Sequence, residues 1–134
     1  MSLGLNPTIR NARLDAITAA AGGNALLRIY SGTRPATGGT ATTLLAQLTM
    51  NATFAPAASG GVLTPNSITS TLSAAASGLA SWFRIVKADG VTHVLDCSVS
   101  TQLAGTGDLR LDDSNIVLGG TVAVPTASIT EGNP

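Results

Sequence analysis

The dipeptide Asp89-Gly90 constrains the fold of this chain more than any other feature, because it lies between two segments of high strand propensity. Such a dipeptide between alternating apolar residues is the strongest short-range signal of a β-hairpin. The length of the turn then decides which side chains share a face of the hairpin. Residues 79–87 and 91–100 are therefore predicted to form the central antiparallel pair of a β-sheet.

Two turn lengths give different pairs across this hairpin. A two-residue loop would place Phe83 opposite Asp96, whereas the three-residue loop 88–90 would place Phe83 opposite Leu95. The second register separates apolar from polar side chains better, and Gly90 can adopt the left-handed conformation that such a loop requires. One face would then be apolar and the other mixed. The apolar face would contain Leu79, Phe83, Ile85, His93, Leu95, Cys97 and Val99, and the mixed face Trp82, Arg84, Val86, Thr92, Val94 and Asp96.

The N-terminal region differs in period from the rest of the chain. Asn6-Pro7 is typical of a helix cap followed by a first-turn proline, and Gly22-Gly23 is a stop signal for the helix between them. After this helix the apolar residues alternate with a period of two, which is typical of strands. About eight short strands joined by Gly- and Ser-rich turns predict an all-β fold, an antiparallel jelly roll or β-sandwich. This β domain would span residues 24–134, after an N-terminal arm and one short helix within residues 1–23.

Two Gly-rich segments of the β domain predict connections between strands. Residues 31–41 contain Arg34-Pro35 and Gly38-Gly39 and are expected to form a long loop. Ser59-Gly60-Gly61 is expected to be the turn of a loose hairpin, in which Pro56 limits the first arm to a sheet edge.

Composition excludes several functional classes. Only 10% of the 134 residues are charged, with equal numbers of basic and acidic residues. This balance argues against nucleic-acid binding, which needs a basic surface, and a hydrophobic content of 44% argues against disorder. No stretch approaches the roughly 20 apolar residues of a membrane span, and Arg10, Arg13 and Asp15 interrupt any secretory signal. A surface of small uncharged residues suits a protein that packs against other subunits. The single cysteine and the interrupted signal predict that the protein is made in a reducing cytoplasm.

Residues capable of catalysis or metal binding are sparse. His93 is the only histidine and Cys97 the only cysteine, and both are expected to be packed in the sheet. Asp108, Asp112 and Asp113 could offer oxygen ligands to calcium, but Asp108 and Asp112 fall with Arg110 on the outer face of an alternating strand, which indicates solvated charges. No Gly-x-Ser-x-Gly motif or phosphate-binding loop is present. We therefore expect no enzymatic activity, no catalytic residues, no bound metal and no cofactor.

Aromatic side chains offer one alternative route to binding. Trp82 is expected to be sandwiched in the core, but an exposed Trp82 or Tyr30 would provide a stacking platform for a sugar. A carbohydrate-binding jelly roll therefore stays open as an alternative function.

Several segments follow one another in a recognisable order. The chain contains Arg10-Asn11-Ala12-Arg13-Leu14-Asp15-Ala16, then Leu26-Leu27-Arg28-Ile29-Tyr30-Ser31-Gly32-Thr33-Arg34-Pro35 after a Gly-Gly break, then Ala80-Ser81-Trp82-Phe83-Arg84 before Asp89-Gly90. In this pattern the chain resembles a widespread family of small virion proteins of tailed bacteriophages and prophages. The resemblance implies a jelly-roll decoration, or cement, protein on the outer surface of the capsid. Its expected partners are the major capsid protein, whose subunits it would bridge, and itself in a dimer or trimer.

A cement protein needs projecting segments that reach its neighbours. The segment before the helix and the loop over residues 31–41 are expected to supply them. Our candidate contact residues are Leu3, Leu5, Ile9, Arg10, Arg13 and Arg34. A tail, baseplate or fibre component of the virion is the alternative within the same kind of particle.

Overall fold

The computed structural model describes residues 4–70, 73–101, 109–111, 115–124 and 126–130. The first element of the described chain is the helix α1 (Pro7–Ala21). Its cap is as predicted, because the Asn6 side chain accepts a hydrogen bond of 2.9 Å from the Thr8 N–H and Pro7 occupies the first turn. Gly22 ends the helix at a φ of +68°, in the left-handed region that favours glycine.

The strands are short and, in the described residues, form one six-stranded sheet and two ribbons. In chain order they are β1 (Leu26–Ser31), β2 (Thr43–Thr49), β3 (Val62–Leu63), β4 (Gly78–Leu79), β5 (Trp82–Val86), β6 (His93–Thr101), β7 (Leu109–Leu111), β8 (Asn115–Ile116), β9 (Thr126–Ala127) and β10 (Ile129–Thr130). The sheet has the order β2-β1-β5-β6-β7-β9, and the ribbons pair β3 with β10 and β4 with β8. Paired strands are antiparallel except β6 and β7, which run parallel. A mainly-β fold is thus confirmed, whereas these open sheets do not confirm the jelly roll or the count of about eight strands.

The central β5–β6 hairpin forms as predicted, but its register differs from the predicted one by two residues. Phe83 lies opposite Cys97, whereas the three-residue loop would place it opposite Leu95. The Lys87 N–H donates to the Thr92 carbonyl over 2.9 Å, which shows that the loop is longer than the predicted three residues. Since the shift is an even number of residues, Phe83 and Cys97 still face the core together.

A β-bulge in this hairpin changes the faces of two side chains. The pairing shifts between Ile85 and Val86, which leaves Val94 as an extra residue on β6. Val94 packs against the core although it was predicted on the mixed face. His93 pairs with Val86 and lies 3.1 Å from Asp96, so it is on the mixed face and its predicted place on the apolar face is wrong.

The strands next to residues 59–61 and at Leu79 pair with other partners than predicted. The turn at residues 59–62 forms, since Ser59 and Val62 exchange two backbone hydrogen bonds of 3.0 Å. The segment before it forms no strand, however, and β3 pairs with β10 instead. Leu79 was predicted on the apolar face of the central hairpin, but it belongs to the β4–β8 ribbon because β5 begins only at Trp82.

The six-stranded sheet separates two environments. On one face, side chains of the central strands pack with those of α1 and β3 into a single hydrophobic core. This core includes Leu14, Leu27, Ile29, Leu63, Phe83 and Ile85. On the other face, Tyr30 and Trp82 are buried outside that cluster. The N-terminal helix therefore contributes to the core of the β domain.

Candidate interaction surfaces

Helix α1 is fixed to the β domain by its inner side. Leu14 is only 1% exposed and lies in the core. Beside it, Asn11 Oδ1 accepts a hydrogen bond of 2.9 Å from the Gly61 N–H, and Asp15 Oδ1 accepts one of 2.8 Å from the Ala58 N–H. Residues three and four apart share one side of a helix, so all three contacts hold the same side against the turn before β3.

The predicted contact residues of the N-terminal region occupy different environments. Ile9 is 51% exposed, and Arg13, one helical turn further, is exposed as well. Leu5 is half-buried just before the helix. Arg10 is also half-buried, with its guanidinium directly over the turn before β3. Leu3 lies outside the described residues. The exposed surface of α1 is therefore centred on Ile9 and Arg13.

The turn before β3 provides a matched test of the Arg10 contact. Gly60 and Gly61 have φ values of +60° and +76°, so alanine is strained at either position. A Cβ at Gly61 would overlap the Arg10 guanidinium, whereas a Cβ at Gly60 would have no neighbour within 4 Å. We expect Gly61→Ala to lower the free energy of unfolding by about 1 kcal/mol more than Gly60→Ala, as measured by urea denaturation. Equal losses would show that the Arg10 side chain moves aside without cost.

The loop between β1 and β2 is held against the outer face of the sheet. The Gly38 N–H donates to Asp96 Oδ2 over 3.0 Å, and Arg84 Nη2 donates to the Gly39 carbonyl over 2.8 Å. We call these four residues the loop clamp. Arg34, the predicted contact residue of this loop, is exposed a few residues before the clamp. The long loop is thus present as expected, and hydrogen bonds tie it to the protein's own sheet.

Trp82 is buried, as predicted, but it packs beneath this loop and not within the core cluster. Its ring stacks on Tyr30 with centroids 4.4 Å apart, and its Nε1–H donates to Thr42 Oγ1 over 2.9 Å. The Arg84 guanidinium lies 5.2 Å from the ring centroid. Trp82 is 1% exposed and Tyr30 5%, so neither ring presents the open face that sugar stacking requires.

Asp96 is the electrostatic centre of the loop clamp. Its side chain is 1% exposed and accepts two hydrogen bonds from Arg84, Nε to Oδ1 at 2.7 Å and Nη2 to Oδ2 at 3.0 Å. Burial alone would raise the pKa of Asp96, but the hydrogen bonds from Arg84 and from the Gly38 N–H lower it to about 2. The hydrogen bond to Asp96 also raises the pKa of Arg84. Both side chains therefore stay charged, and their pairing anchors the loop.

His93 lies beside this ion pair. Its Nε2 is 3.1 Å from Asp96 Oδ1, and its side chain is 29% exposed. This nitrogen is buried and makes no hydrogen bond of good geometry, so the Arg84 side chain and the Gly38 N–H are the donors that hold the Asp96 side chain. Cys97, on the opposite face, is half-buried against the core as predicted.

Possible metal ligands are scattered in the part of the chain that the structure describes. No group of three or more His, Cys, Asp or Glu side chains that could hold a metal ion occurs there. Asp108, Asp112 and Asp113, the acidic cluster considered for calcium, lie outside the described residues. Among the described helices, none has both the length and the hydrophobicity to cross a membrane.

One exposed apolar surface was not anticipated from the sequence. Leu79, Val117 and Leu118 are 62%, 62% and 64% exposed, and we call these three side chains the ribbon patch. Leu79 pairs with Asn115 across the β4–β8 ribbon, which places Val117 diagonally opposite Leu79 on the same side. Leu118 follows directly, with its N–H bonded to Ser77 Oγ over 2.8 Å. The three exposed side chains therefore lie close together at one end of the β4–β8 ribbon.

The sequence does contain a signal for this surface. No Asp, Glu, Lys, Arg or His occurs between Pro35 and Phe83, nor between Asn115 and Thr130. Both segments of the ribbon patch come from these uncharged stretches. An uncharged stretch is uninformative until the fold shows which of its side chains are exposed, so the pattern alone could not identify the surface.

No family model, no curated protein and no solved structure matches this chain. The exposed candidate residues are grouped on the surface of α1, on the clamped loop and on the ribbon patch.

Proposed function

We propose that this chain is a structural virion protein that decorates and stabilises a bacteriophage capsid by bridging subunits of the major capsid protein. The observation that carries the proposal is the rigid attachment of α1, whose outer side presents Ile9 and Arg13 beside the N-terminal segment. The proposal includes the jelly-roll topology of about eight strands and the oligomer that the resemblance implies.

The attachment of α1 matters because binding through a loose element costs conformational entropy. Buried Leu14 and the hydrogen bonds of Asn11 and Asp15 fix the helix before any partner arrives. Ile9 then supplies apolar contact area, and Arg13 supplies a planar guanidinium suited to carboxylates. Such a preorganised surface favours a contact with a folded neighbouring subunit.

Bridging requires contact surfaces on different sides of the molecule. Helix α1 packs on the core face of the sheet, whereas the loop that carries Arg34 is clamped to the opposite face. The sheet therefore separates the two groups of candidate contact residues. One copy can contact two subunits at once, and repetition over a capsid lattice adds many weak contacts into stable attachment.

Cosedimentation with purified heads and with purified tails of the bacteriophage that encodes the chain tests this proposal. We expect the full chain to sediment with heads, and Ile9→Asp/Arg13→Glu to bind them at least about tenfold more weakly, since truncating a central contact typically has such an effect. Lys87→Glu, a charge reversal at an exposed position of the hairpin turn, should stay within about twofold of the parent. Deletion of residues 2–5, which keeps the Asn6 cap, should also weaken binding.

Two outcomes would contradict the proposal. Cosedimentation with tails alone would favour a tail, baseplate or fibre component. Unchanged head binding by the Ile9/Arg13 variant would show that the surface of α1 is not a capsid contact.

A further inference from the structure

We infer that the ribbon patch is the contact between two copies of this chain related by a two-fold axis. The inference deepens the proposed function, on which it rests for the role of the oligomer. It assigns the surface through which the oligomer forms.

The ribbon patch has a projecting part that is held rigidly. Residues 117–120 form a tight turn, closed by a hydrogen bond of 2.8 Å from the Gly120 N–H to the Val117 carbonyl. Ala74 exchanges two further backbone hydrogen bonds of 2.9 Å with this turn. Leu118 therefore projects from a fixed support, and ordering it on association costs little backbone entropy.

A groove of about 380 Å³ lies beside this turn and shares Val117 with it. Its floor contains the core residues Leu111, Ile116 and Val122, each at most 6% exposed. A groove with an apolar floor is a suitable site for an aliphatic side chain. Because the projection and the groove adjoin on one surface, Leu118 of each copy can enter the groove of the other. This reciprocal arrangement is the isologous contact that two-fold dimers use.

Charge favours a second copy over a different partner. None of the described side chains that form the ribbon patch or line the groove is charged. A partner that placed a charged side chain here would bury it without a counter-ion, which is unfavourable. A second copy places the same uncharged side chains in the contact, so it buries no unpaired charge there.

The size of the patch sets the expected strength of the contact. Stable dimers bury about 800 Å² on each partner, whereas three exposed side chains supply only part of such an area. We therefore expect reversible association with a dissociation constant between about 10 µM and about 1 mM. Because the described side chains of the patch and the groove are uncharged, association should change little with sodium chloride concentration.

Sedimentation equilibrium of the isolated full chain tests the inference without any capsid. We expect a monomer–dimer equilibrium for the parent, and a dissociation constant at least about tenfold higher for Leu118→Asp and for Leu79→Asp. Val91→Asp is the matched control, because Val91 is 83% exposed in the hairpin turn, outside the patch, and receives the same charge. It should leave the dissociation constant within about twofold of the parent. Circular dichroism verifies that each variant is folded.

The inference fails if the folded parent stays monomeric up to about 1 mM, if it sediments as a trimer, or if Val91→Asp weakens association as much as Leu118→Asp does. A monomeric parent whose head binding is lost in Leu118→Asp would assign the patch to the capsid protein instead. Failure of the proposed function is seen separately, in the head-binding measurements on the Ile9/Arg13 variant.

Discussion

Replacing Asp96 by asparagine is expected to lower the free energy of unfolding by about 2 kcal/mol, because removal of one member of a partly buried, hydrogen-bonded ion pair leaves the other charge poorly compensated. The Arg84 side chain is only 12% exposed and would keep its charge without its counter-ion. Asparagine would also place an amide nitrogen where a carboxylate oxygen now accepts a hydrogen bond from Arg84 or Gly38. Urea denaturation at neutral pH measures the loss, and hydrogen exchange at the Gly38 amide reports release of the loop.

Asp89→Asn is the matched control for the charge change. Asp89 accepts hydrogen bonds from Thr92 and Val91, but it lies in the exposed hairpin turn. Its substitution should therefore destabilise the protein much less and leave exchange at the Gly38 amide unchanged. A loss of stability below about 1 kcal/mol for Asp96→Asn would show that the loop clamp is not an essential support of the fold.

The pH dependence of stability provides an independent measurement on the same side chain. The pKa of Asp96 is about 2 in the folded protein, below its ordinary value of 3.8, so the native state binds fewer protons than the unfolded state between these values. The contribution of ionised Asp96 to the free energy of unfolding is therefore present above pH 3.8 and is lost as the pH falls towards 2. Asp96→Asn should flatten this part of the profile, leaving the contribution of Asp89, whose pKa hydrogen bonds from Thr92 and Val91 also lower to about 2. An unchanged profile below pH 4 would contradict the assignment of the shift to Asp96.

Local sequence signals predicted the elements whose stability is local. Asn6-Pro7 and Gly22 determine both ends of α1, since a cap acts within one helical turn. The register of the β5–β6 hairpin could not be predicted from local sequence signals. It depends on a longer turn and on the bulge at Val94, and both depend on packing against the core. The assignment of Phe83 and Cys97 to the core face survived because side-chain alternation tolerates a shift of two residues.

The candidate contact surfaces were predictable only in part. Ile9, Arg13 and Arg34 are exposed, as contact residues must be, but the sequence did not show that the sheet separates Arg34 from α1. The loop clamp relies on backbone groups of Gly38 and Gly39, which leave no side-chain signature. The ribbon patch depends on where β4 leaves the main sheet, and that point is set by tertiary pairing and not by local propensity.

Leu14→Ala is expected to lower the free energy of unfolding by about 3 kcal/mol, because the side chain is fully buried and its removal leaves a cavity between α1 and the sheet. The same substitution should weaken head binding at least about tenfold, since the helix must be rigidly attached to present its outer surface. Denaturation with urea measures the first effect, and cosedimentation with heads measures the second.

Ile9→Ala on the same helix separates these two effects. Ile9 is 51% exposed, so its truncation should change the free energy of unfolding by less than about 0.5 kcal/mol while still weakening head binding. Stability and binding are thus expected to fall together in Leu14→Ala, whereas only binding should fall in Ile9→Ala. If Leu14→Ala were destabilised but bound heads as tightly as the parent, attachment of α1 to the β domain would not be required for the proposed capsid contact.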